Sequence, residues 1–85
     1  MNNEIPYVVT FDSTHGAMEA EKRLIKAGAK IYVIPTPRQI TANCGLSIKI
    51  MGISKEELEN LLRELKIEKK ALYRMESFHK IEKVL

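Results

Sequence analysis

The chain has 85 residues, 45% of them hydrophobic and 29% charged, with a net charge of +3; this suits one folded domain with one small core and excludes a disordered chain. Its single cysteine excludes a disulfide scaffold and fits a reducing, cytosolic compartment. No apolar run approaches the ~18 residues a bilayer span needs, and the opening Met1-Asn2-Asn3-Glu4-Ile5-Pro6 lacks the basic and apolar regions of a signal peptide.

Tyr7 to Phe11 is β-branched and aromatic and predicts the first strand. Asp12, Ser13 and Thr14 each offer an N-cap for a helix running to about Ala27. On a helical wheel Ala17, Ala20, Leu24, Ile25 and Ala27 cluster, with Met18 at the edge and Glu21 on the shoulder of the arc. Gly28 is placed to end that helix. Lys30 to Ile34 predicts the second strand. A long loop follows, stiffened by Pro35 and Pro37 and ending in Cys44-Gly45. Leu46, Ile48 and Ile50 alternate on the core side of a third strand. Ser54 and Glu57 have capping-box spacing, and Leu58, Leu61, Leu62 and Leu65 make one apolar face of a second helix. Lys70 to Met75 predicts the fourth strand. Phe78, Ile81 and Leu85 leave only a weak helical pattern, so residues 76–85 read as a tail to a single domain with its core at about 7–75.

The charge excess lies wholly at this end. Residues 1–65 hold 8 Lys/Arg against 8 Asp/Glu, and residues 66–85 hold 6 against 3. With no Trp, and only Tyr73 and Phe78 in the basic part, the tail lacks the basic stripe and stacking aromatics of a nucleic-acid binder. A solvated helix end is the plainer account.

The order βαββαβ fits the α+β, ferredoxin-like split βαβ motif: two helices on one face of a four-stranded antiparallel sheet ordered 4-1-3-2. The other face is expected to show Val8, Thr10, Tyr32, Ile34, Ser47, Lys49, Leu72 and Arg74, a half-apolar surface that could pair two copies. The same topology brings three segments to one end of the domain: Asp12 to Gly16, the Cys44 loop, and Lys66 to Lys70. The first turn of the first helix, with Ser13, Thr14, His15 and Gly16, directs unpaired N–H groups outward and favours an anion. Arg38, and Lys66 or Lys69, can add positive charge. Such surroundings make a thiol more acidic and more nucleophilic, and Gly45 allows close approach or a positive φ beside the sulfur.

Each of these residues has a plainer account. Cys44 could be a small buried packing residue, His15 a solvent-facing residue, Arg38 the partner of a surface carboxylate, and Glu21 a carboxylate leaning off the helix flank. The chain has no glycine-rich phosphate loop, nucleophile elbow or Cys-x-x-Cys. His15 and His79 with one cysteine do not make a closed zinc site within one chain. No cofactor is expected.

Phe11-Asp12-Ser13-Thr14-His15-Gly16-Ala17-Met18-Glu19-Ala20-Glu21-Lys22 and the block Ile34-Pro35-Thr36-Pro37-Arg38, Ile40, Cys44-Gly45-Leu46 resemble the selenium/sulfur carrier-like proteins, small bacterial domains. The resemblance runs from about Tyr7 to Met75. It implies that Cys44 holds sulfur or selenium, as a persulfide in the sulfur case, and that Arg38 belongs to its setting. The expected partners are a sulfur- or selenium-donor protein and an acceptor protein, with carriage instead of independent catalysis. The alternative is a small binding or regulatory module with a structural cysteine.

Overall fold

A computed structural model describes residues 5–40, 45–77 and 80–84. The elements run β1 (Tyr7–Thr10), α1 (Thr14–Lys26), β2 (Lys30–Pro35), β3 (Leu46–Met51), α2 (Lys55–Glu64), β4 (Ala71–Ser77) and β5 (Lys80–Lys83). All strand pairings are antiparallel, and the sheet order is β2-β3-β1-β4-β5. The four strands expected from the sequence therefore stand in the order 4-1-3-2. A fifth strand corrects the expectation of a four-stranded sheet with a tail over 76–85. β5 joins the outer edge of β4, pairing Tyr73 with Lys83 and Met75 with Ile81. Among the described residues no helix is long and apolar enough to cross a membrane.

Both helices end by the same device. Gly28 has a φ of 86° and follows α1, with Gly28 N–H donating to Ile25 and Ala29 N–H to Leu24. Lys66 has a φ of 56° and follows α2, with Lys66 N–H donating to Arg63 and Ile67 N–H to Leu62. These bonds satisfy carbonyls that a helix end leaves unpaired. The Ser54–Glu57 capping box forms in both directions at the start of α2.

Register fixes the two faces of the sheet. Val9 lies opposite Ile48 on one side and Leu72 on the other. These three pack with Phe11, Ala17, Ala20, Leu24, Leu58 and Leu62 under the helices, and burying each of the larger side chains, the alanines aside, contributes about 1.5–3 kcal/mol. Leu72 thus belongs to the helix side, as does Arg74, which pairs in register with Tyr7. Both were expected on the opposite face. Ala71, Tyr73 and Met75 occupy that face instead. It is also less open than expected: Val8, Thr10 and Ser47 are 0%, 2% and 0% exposed. On α1, Ala17, Ala20 and Leu24 are buried, but Ile25 is 57% exposed and Ala27 is exposed too, so the apolar arc is narrower than the wheel implies.

Candidate functional site

The end of the sheet where β1 meets α1 is built from three segments. Ser13 caps α1 in an extended conformation, and its hydroxyl accepts from Gly16 N–H at 3.1 Å. The first turn holds no acidic side chain, unlike that of α2 with Glu56 and Glu57. Asp12, just before the cap, is exposed, as are Ser13, Thr14 and His15. A helix start of this kind favours negative charge. A Cβ on Gly16 would meet Ser13 Oγ at 3.5 Å and Phe11 Cβ at 3.8 Å, ordinary contacts.

The second segment is the loop between β2 and β3. Thr36 N–H donates to Gly45 C=O at 3.3 Å, closing the loop at its base. The Thr36 and Ser47 hydroxyls form a short hydrogen bond in a buried setting. Pro37 is buried, and Ile40 N–H donates back to Pro37 C=O at 3.0 Å, so residues 38–40 turn with Arg38 exposed. Thr41, Ala42, Asn43 and Cys44 lie outside the described residues. Gly45 is described, and a Cβ built on it would lie 3.1 Å from Thr14 Oγ1. Of the two conformations considered for this glycine, close approach is the one observed.

The third segment arrives from α2. Lys70 N–H donates to Thr10 C=O at 2.7 Å. A cavity of about 160 Å³ lies between Thr10, Phe11, Ile40, Lys70, Tyr73 and Lys83. At the end of α2, Arg23 of α1 donates to the carbonyls of Leu65 and Lys66 at 3.2 and 3.0 Å. Of the Lys66–Lys70 segment, Lys70 is the lysine that lines the cavity beside the loop. Lys83 was missed because it stands on β5, whose Lys80-Ile81-Glu82-Lys83 is too short for a clear alternation. Gly45 thus meets the start of α1, and Ile40 of the same loop lines one cavity with Thr10 of β1 and Lys70. The Arg74 guanidinium is held above its ordinary value by a hydrogen bond from it to Glu82, and by the charge of that carboxylate; it lies toward the other end of β4. Among the described residues no three His, Cys, Asp or Glu side chains stand together as a metal cage.

A family model described as "Putative Se/S carrier protein-like" matches residues 6–74. The chain belongs to this family. Neither a curated protein nor a solved structure gives a significant match. The stretch matched to the Se/S carrier-like family covers β1 through most of β4. It holds the α1 start, the Pro-rich loop, Gly45 and Lys70; β5 and its Lys83 lie beyond it.

Proposed function

We propose that this Se/S carrier-like protein holds a sulfur or selenium atom on Cys44 and passes it between proteins. The observation that carries the proposal is the approach of Gly45, the residue bonded to Cys44, to Thr14 in the first turn of α1. An anionic sulfur near that turn gains from its N–H groups and from the cations Arg38, Lys70 and Lys83. Loading is an exchange at a chalcogen–chalcogen bond. The Cys44 thiolate attacks the terminal sulfur or selenium of a donor cysteine's S–SH or S–SeH group. A bond forms to Cys44 Sγ, the donor's bond breaks, and the donor cysteine leaves as its thiolate. Delivery repeats the exchange, with an acceptor thiolate as attacker and Cys44 as leaving group. Neither step needs an external oxidant or reductant.

The test is intact-mass analysis after incubation with a cysteine desulfurase and cysteine, or with a selenium-charged donor. The parent protein gains one sulfur or selenium atom, and Cys44→Ser gains none. A parent protein that stays unmodified while the desulfurase remains charged overturns the proposal. The second reading, a small-anion module with a structural Cys44, draws on the cavity beside Lys70 and Lys83; it requires phosphate or sulfite binding that survives Cys44→Ser.

A further inference from the structure

The two edges of the sheet are chemically unlike. β5 carries Lys80, Glu82 and Lys83, all exposed, and ion pairs tie Arg74 to Glu82 at 2.7 Å and Lys80 to Glu76 at 3.3 Å. Charges of this kind discourage a further strand from adding. β2 is the other edge, and after Lys30 it reads Ile31-Tyr32-Val33-Ile34-Pro35 with no charge. Among the described residues the exposed large hydrophobics are Met18 (51%), Ile25 (57%), Tyr32 (49%) and Val33 (38%). Two lie on α1 and two on β2.

Met18, Ile25 and Val33 share one flank, while Tyr32, paired with Lys49, stands on the same edge but on the opposite face of the sheet. α1 packs on β2 and β3, with Ala17, Ala20 and Leu24 inward. Arg23, on one side of that inward stripe, reaches the end of α2. Met18 and Ile25 lie about a quarter-turn or more to the other side at 3.6 residues per turn, which is the side of β2. Val33 pairs with Ile48, a helix-side residue, so it points into the same layer.

The flank of α1 is also complementary to its own inverted copy. Met18, Glu21, Lys22 and Ile25 run apolar, acidic, basic, apolar. Against a second α1 related by a two-fold axis, Met18 meets Ile25 and Glu21 meets Lys22, each contact made twice. The same axis, perpendicular to the sheet, sets β2 antiparallel to β2 of the second copy with both helix layers on one side. That is the geometry of an isologous interface, in which the edge N–H and C=O groups pair while the apolar flank is buried.

We propose that two copies of this chain associate through the β2 edge and the Met18–Ile25 flank of α1, forming one continuous sheet. The occupant is a second copy because a two-fold mate supplies the opposite charge at both Glu21 and Lys22 and an unpaired β2 of matching length. The interface is independent of any role of Cys44.

The test is sedimentation of the full-length chain over a wide concentration range, with circular dichroism to confirm folding. The parent protein reaches twice the chain mass. Val33→Lys, which sets charge on the paired edge, stays at the single-chain mass. Glu21→Lys weakens association about ten-fold, since two attractions become two repulsions; adding Lys22→Glu restores it by inverting both charges together. A single-chain mass at every concentration overturns the proposal. So does a folded Val33→Lys that associates as well as the parent, or a charge inversion that fails to recover what Glu21→Lys lost.

Discussion

Gly45 stands so close to Thr14 that a Cβ on the glycine would sit 3.1 Å from the Thr14 hydroxyl oxygen. The contact ties the end of the β2–β3 loop to the first residue of α1. It predicts that Gly45→Ala destabilises the fold by about 1 kcal/mol through crowding. In a Thr14→Ala background most of that loss disappears, because the crowded atom is gone. Chemical denaturation of the four proteins in this cycle measures the coupling; strictly additive effects would remove the contact from the account.

The thiol proposal makes a kinetic prediction. Cys44 should alkylate near neutral pH faster than a free cysteine peptide, because a stabilised thiolate is a larger fraction of the thiol. Arg38→Ala and Lys70→Ala should each slow the reaction, with no loss of folding. Rates that match the free peptide, or labelling only after denaturation, point to a packing cysteine.

Lys66 adopts a φ of 56° without being glycine. A Cβ in the left-handed region costs about 1–2 kcal/mol, part of which glycine's unfolded-state entropy offsets. Lys66→Gly is therefore expected to raise stability by about 0.5–1 kcal/mol, read from the shift in melting temperature. Arg23→Ala should lower it by about 1 kcal/mol, since two carbonyls at the end of α2 lose their donor.

The buried Thr36–Ser47 hydroxyl pair predicts an asymmetry. Ser47→Ala alone leaves the Thr36 hydroxyl unpaired and costs about 1–3 kcal/mol. Adding Thr36→Val removes the orphaned hydroxyl and recovers part of the loss. A double variant as unstable as the sum of the two singles would show that the hydroxyls do not depend on each other.

Much of this architecture is written locally. Leu46, Ile48 and Ile50 alternate because β3 has one face under the helices, and Ser54 with Glu57 announces α2. Gly28 marks the end of α1 because the turn needs its positive φ. The phase of β4 was not legible, since Ala71-Leu72-Tyr73-Arg74-Met75 has apolar residues on both faces and only pairing with β1 decides between them. β5 escaped for a related reason: four residues at an edge, three of them charged, bury too little to leave a pattern. At the candidate site, topology foretold that the Cys44 loop would meet the start of α1, and Gly45 reaches Thr14. Which lysine lines the neighbouring cavity was not foretold, because Lys70 is placed by its backbone bond to Thr10, a tertiary contact invisible in the local sequence.

The contrast between a charged β5 and an uncharged β2 edge bears on how far self-association can run. A sheet adhesive on both margins can add copies without limit and grow into a fibre. In the proposed pair a two-fold contact would consume the single adhesive margin of each copy, leaving Lys80, Glu82 and Lys83 on the outer margins. Growth would then stop at two. Replacing those β5 charges with threonine or valine would restore a second margin, and the same chain should then polymerise.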